Sequence, residues 1–91
     1  MKMIDTKTLI SEINVKENNE FTIELEGIIT AKIVIRNLEI KEEKNTLTFL
    51  DKDKNEKIKI LKYQIMKIEK IKEEYIIKFD MLQNVKIKCL I

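Results

Sequence analysis

Histidine is absent from this 91-residue chain. A histidine general base, a histidine-centred nucleophilic triad and histidine-ligated metal sites are therefore excluded. Proline and tryptophan are absent too, and glycine and cysteine occur once each, as Gly27 and Cys89. One glycine cannot build a glycine-rich phosphate loop. One cysteine cannot close an internal disulfide, and without histidine it has no companion for zinc. Cys89 falls in the apolar phase of an alternating segment and reads as a small core residue. Alanine occurs only at position 31, which weighs mildly against long surface helices. No apolar run approaches the ~20 residues of a membrane-spanning helix. The opening segment MKMIDTKTLI lacks a long apolar core and a small-residue cleavage site, so a cytoplasmic protein is expected.

What remains is isoleucine and charge. Hydrophobic residues make up 44% and charged residues 37% of the chain, too apolar a balance for a disordered protein. The abundant isoleucine is β-branched and suits strands. The net charge is only +2, but it is unevenly spread. Residues 1–53 carry eight basic and eleven acidic side chains, whereas residues 54–91 carry ten basic and five acidic. A basic second half permits an anionic ligand, although a lysine-rich solvated surface or codon bias produces the same composition.

Periodicity divides the chain into short elements. Residues 5–13 fit a short helix capped by Asp5 or Thr6, with Leu9, Ile10 and Ile13 on one face; a strand is the alternative. From residue 20 the period becomes two, with Phe21, Ile23 and Leu25 alternating with Thr22, Glu24 and Glu26. Gly27 breaks that run and reads as a bulge or sharp bend. Ile33, Val34 and Ile35 are consecutive, as in a strand buried on both faces. Leu38 and Ile40 resume in the other phase, which places an irregularity near Asn37. KEEKN and DKDKNE read as turns on either side of the strand TLTFL. Ile58 and Ile60 alternate with lysines. The spacing of Ile65, Ile68 and Ile71 then suggests a 3₁₀ or helical turn between two strands. The chain closes as a hairpin. Tyr75, Ile77 and Phe79 point one way and are matched by Val85, Ile87, Cys89 and Ile91, with Asp80 and Asn84 as turn residues.

These readings predict a single all-β domain with a short N-terminal helix. Its six or seven antiparallel strands form a partly open barrel. DKDKNE offers oxygen atoms at Asp51, Asp53 and Asn55, but Glu56 stands where a calcium loop needs glycine and Lys62 where it needs glutamate. No metal, cofactor or catalysis is expected. Lys57 and Lys59 alternate with Ile58 and Ile60, Lys86 and Lys88 alternate with Val85 and Ile87, and Lys78 lies on the neighbouring strand. If these strands share a sheet, the lysines form one outer stripe able to hold phosphates. Edge lysines also guard against strand-to-strand aggregation.

Two stretches, FTIELEGIITAKIVIRNLEIKEEKNTLTF and IKILKYQIMKI, resemble the Sm-like small barrels, the group that includes the RNA chaperone Hfq. The likeness spans residues 20–71. It implies a ring-forming homo-oligomer that binds RNA or nucleotides, with Asn45, Lys62 and Tyr63 at ligand-facing positions. Lys32, Lys44 and Tyr63 depart from that family's pattern, and residues 74–91 extend beyond it. The extra hairpin is similar to the seven-stranded pleckstrin-homology-like barrels, which mostly mediate protein or lipid-headgroup contacts. The expectation is thus a homo-oligomeric, non-catalytic binding module for RNA or a nucleotide. The other class is a protein-binding adaptor or a small phage-type inhibitor.

Overall fold

The computed structural model describes residues 2–16, 20–79 and 83–90. The chain runs β1 (Lys2–Ile4), α1 (Thr6–Asn14), β2 (Glu20–Glu26), β3 (Ala31–Arg36), β4 (Leu38–Glu42), β5 (Thr46–Asp51) and β6 (Glu56–Leu61). A 3₁₀ turn at Lys62–Gln64 leads to β7 (Ile65–Ile71), β8 (Glu74–Phe79) and β9 (Asn84–Cys89). The strands form two antiparallel sheets. The larger has the order β1-β7-β8-β9-β2-β3, and the smaller is β4-β5-β6. The expected all-β antiparallel architecture with an N-terminal helix is present, and the two sheets do not close into a barrel. Nine strands stand among the described residues rather than six or seven. The short β1, which pairs with β7, carries no alternating apolar signal.

Period-two burial builds the core. Phe21, Ile23, Ile77, Tyr75, Val85 and Ile87 face inward from the larger sheet and meet Ile40, Leu47 and Phe49 of the smaller. The helix starts as expected: the Thr8 amide donates to Asp5 Oδ1 at 2.8 Å. Leu9 and Ile13, one turn apart, are fully buried. At the helix end the Asn14 side chain mimics a strand. Its Nδ2 donates to the Ile40 carbonyl and its Oδ1 accepts from the Ile40 amide, both at 2.9 Å. The outer edge of β4 is thus covered by α1, leaving β3 and β6 as the edges on the opposite flank.

A polar cluster fixes the helix to the larger sheet. Lys70 Nζ and the Tyr75 hydroxyl both donate to Glu12 Oε1, at 2.6 and 2.7 Å. The Lys70 ammonium also lies 5.5 Å from the centre of the Tyr75 ring.

Gly27 is the sharp bend rather than the bulge of the two readings: at φ 142° it begins the β2–β3 connection immediately after β2 ends. Other expectations are corrected. Ile33 and Val34 are exposed and only Ile35 is buried: Val34 points to the outer face, which no second layer covers, and Ile33 shares the inner face with Ile35 but borders the open space beside β6. Asn84 is a β9 residue, paired with Lys78 and Glu26, rather than part of the turn. Asp80 and Ile91 lie outside the described residues. The irregularity near Asn37 is real: at φ 53° this residue carries the chain from β3 in one sheet to β4 in the other.

The β7–β8 hairpin turns at Lys72, which takes φ 56° despite its side chain. That conformation costs a non-glycine residue about 1–2 kcal/mol, partly offset by the greater chain entropy that glycine loses on folding. Lys72→Gly is therefore expected to raise stability by about 0.5 kcal/mol, read as a higher urea midpoint. A lowered midpoint would show that the lysine contributes more than its backbone costs.

Candidate functional site

The lysines singled out by alternation do not form one stripe. Lys57 and Lys59 lie on β6 of the smaller sheet, whereas Lys78 (β8), Lys86 and Lys88 (β9) lie on the larger one. The shared sheet that a single stripe required is absent, because β6 pairs with β5 alone. Two of the three on the larger sheet are engaged by acids. Lys78 Nζ sits 2.8 Å from Glu69, which is buried and held below its ordinary carboxylate range by that hydrogen bond. Lys86 Nζ sits 3.1 Å from Glu26, whose hydrogen bond pushes the lysine's own pKa up. Lys88 is exposed between Thr22 and Glu74.

Asn45, Lys62 and Tyr63 do come together, where the β4–β5 turn meets the 3₁₀ turn. The Lys62 amide donates to the Asn45 carbonyl at 2.9 Å. The Lys62 ammonium is occupied by the fold itself: it pairs with Glu42 at 2.9 Å and donates to the Glu43 carbonyl at 3.2 Å. Tyr63 is 74% exposed. In the β5–β6 turn, Asp51 Oδ1 accepts from the amides of Asp53 and Lys54, at 3.0 and 3.2 Å, so this carboxylate serves the turn. Among the described residues, no group of three or more Cys, Asp or Glu side chains is placed to hold a metal ion.

A different site emerges on the open flank. Here β3 and β6 lie next to each other, each with one edge unpaired. Ile33, Val34 and Ile35 share a cavity of about 90 Å³ with Glu56, Lys57 and Ile58. Beside it, between β6 and the larger sheet, lies a cleft of about 380 Å³. Its floor is the inner face of the larger sheet: Ile23 and Leu25 of β2, Phe79 of β8 and Val85 of β9. Phe49 forms part of the wall of both cavities.

The opposite wall is β6. Ile58, Lys59, Ile60 and Leu61 all line the cleft, although successive strand residues point to opposite faces. Four consecutive residues can border one space only where the strand presents its backbone edge to it.

Gln83 and Ile29 stand together in the lining of the cleft. The Ile29 amide donates to Gln83 Oε1 at 3.0 Å, and Gln83 Nε2 donates to the Ile29 carbonyl at 3.1 Å. This pair of hydrogen bonds ties the β2–β3 connection to the start of β9 and fixes Ile29 at the rim, where it is largely exposed, as is Ile28 beside it in the chain. Leu61 adds a third partly exposed apolar side chain.

The alternation of Ile58 and Ile60 marked them as inward-facing. It gave no sign that they face a gap, because that depends on how far apart two sheets stand. Gln83 and Ile29 are 54 positions apart and carried no local signal.

No family model, curated protein or solved structure matches this chain.

Proposed function

We propose that the chain is a non-catalytic protein-binding module, an adaptor or an inhibitor of another macromolecule, which receives its partner in the cleft between β6 and the larger sheet. The observation that carries this reading is an apolar concavity of about 380 Å³, open to solvent and rimmed by exposed Ile29 and Leu61. That volume lies within the roughly 300–1,000 Å³ typical of binding sites. Exposed apolar surface collected around a concavity marks interaction sites, whereas scattered apolar residues do not.

An anionic ligand is less well supported. The candidate lysines are split between two sheets, and Lys62, Lys78 and Lys86 already spend their charge on Glu42, Glu69 and Glu26. The aromatic surface needed for base stacking is thin, with Tyr63 the one largely exposed aromatic side chain among the described residues.

The test is selection of a displayed random-peptide library on the wild-type protein, with an Ile29→Glu/Leu61→Glu variant as comparison. Both positions are exposed, so the variant should keep its fold. Peptides that bind the wild type and lose at least about tenfold affinity on the variant support the proposal. Salt-sensitive binding of single-stranded RNA, equal in both proteins and with no peptide recovered, would overturn it in favour of the anionic reading.

A further inference from the structure

We infer that the occupant of the cleft is an extended segment of a partner protein that adds as a strand to the free edge of β6 along Ile58–Leu61, with apolar side chains alternating with acidic ones. This rests on the cleft being the binding site and goes further, naming the chemistry of what fills it.

β6 is hydrogen-bonded to β5 on one side, and its other edge borders the cleft through four consecutive residues. A small apolar molecule could fill the concavity but would leave that row of amide and carbonyl groups unpaired by protein. An added strand satisfies both, since main-chain pairing supplies affinity and alternate side chains enter pockets.

The pleat then fixes the side-chain pattern. Residues of the added strand lying opposite Ile58 and Ile60 would point into the cleft, onto Ile23, Leu25, Phe79 and Val85. Residues opposite Lys57 and Lys59 would point to the outer face. There the two lysines are exposed, and neither belongs to an ion pair among the described residues. Their partners across β5 are Leu50 and Thr48, which carry no charge. Acidic residues on an added strand would supply the missing cross-strand partners.

The same lysines argue against a second copy of this chain as occupant. Antiparallel pairing of β6 with β6 that keeps both apolar faces inward sets Lys57 and Lys59 against their counterparts, and like charges across a strand pair are unfavourable. Shifting by one residue would drive lysines into the apolar cleft. The neighbouring free edge, β3, carries Lys32 and Arg36 on its outer face, each paired with a glutamate of β2. Lysines on an edge are a common defence against self-pairing. Here they stand over an open apolar cleft, which defence alone does not require.

The experiment uses the whole chain and capped peptides of alternating valine and glutamate, with alternating valine and lysine as the control. Binding is followed by amide chemical shifts and hydrogen exchange. The expected result is binding of the acidic peptide, with exchange slowed at least about tenfold within Ile58–Leu61. A Lys57→Glu/Lys59→Glu variant should reverse the preference in favour of the lysine peptide by a similar factor. Shifts at Ile23, Leu25 and Val85 without slowed exchange in β6 would overturn strand addition while leaving the cleft as the binding site. No shift with either peptide up to millimolar concentration, in a chain that sediments as a dimer or larger, would overturn both readings in favour of self-association.

Discussion

Replacing Phe49 with alanine is expected to bring the domain close to its unfolding limit, with a loss of about 3–5 kcal/mol. Phe49 is fully buried and lies at the centre of the smaller sheet, opposite Ile40 on β4 and Ile58 on β6. The cost of removing a large side chain depends on how well neighbours can collapse onto the space. Here collapse is hindered, because Phe49 borders both the cleft and the smaller cavity beside it, so truncation is expected to enlarge open space rather than let it close. A domain of this length holds roughly 5–14 kcal/mol in total, so such a loss removes much of its margin. Urea unfolding followed by circular dichroism should show a midpoint lowered by more than about 1 M. Leu61→Ser, at the exposed rim of the same cleft, should stay within about 0.5 kcal/mol of wild type. If the two variants lost equal stability, Phe49 would not be a core residue shared by both cavities.

That contrast between Phe49 and Leu61 also separates what was legible in the sequence from what was not. Phe21, Ile23 and Leu25, Leu47 and Phe49, and Tyr75 and Ile77 were legible as inward-facing, because a strand with one buried face must alternate. The Asp5 cap, the turn after Leu61 and the break at Asn37 were legible because each is a local backbone event. Ile33 and Val34 misled because a run of apolar residues states that a segment is apolar, not how many faces are covered. Whether β3 has neighbours on both sides depends on strands far away in the chain. The same non-locality scattered the lysines. Nothing between Lys59 and Lys78 reveals that the chain changes sheet after the 3₁₀ turn. The cleft was the least legible feature, since it belongs to no segment. It exists because α1 covers one flank of the smaller sheet through Asn14 and nothing in the described chain covers the other.

The cluster of Glu12, Lys70 and Tyr75 was hidden for the same reason, with its members 58 and 63 positions apart, and it leads to the second large effect. Glu12→Ala is expected to cost about 2–3 kcal/mol, because it leaves the hydroxyl of a fully buried tyrosine and the Lys70 charge without their acceptor. Glu12→Gln keeps an oxygen for both donors and should cost less. Tyr75→Phe removes one donor while Lys70 still serves Glu12, and should cost about 1 kcal/mol. The pH dependence identifies the charge. The hydrogen bonds from Lys70 and then Tyr75 hold the Glu12 carboxyl below its ordinary value of 4.5. A depressed carboxyl stabilises the fold above that ordinary value, and the contribution is lost as pH falls below it toward the folded-state value. Glu69 and Asp5 are depressed as well, by Lys78 and by Thr8, so Glu12→Gln should flatten the acid limb without abolishing it. At the alkaline end the sign reverses. Burial, and then the hydrogen bond to Glu12, raise the Tyr75 phenol above its ordinary value of 10.0. Its contribution is complete below that pH and is lost as pH rises above it. In a Tyr63→Phe background Tyr75 is the one tyrosine left, so absorbance near 295 nm reports it alone. The expected trace stays flat through pH 10 and rises only with unfolding as followed by circular dichroism. A rise at pH 10 in a folded protein would mean that the phenol is not held in the core by Glu12, and that Lys70 is the residue of the larger sheet that Glu12 fastens.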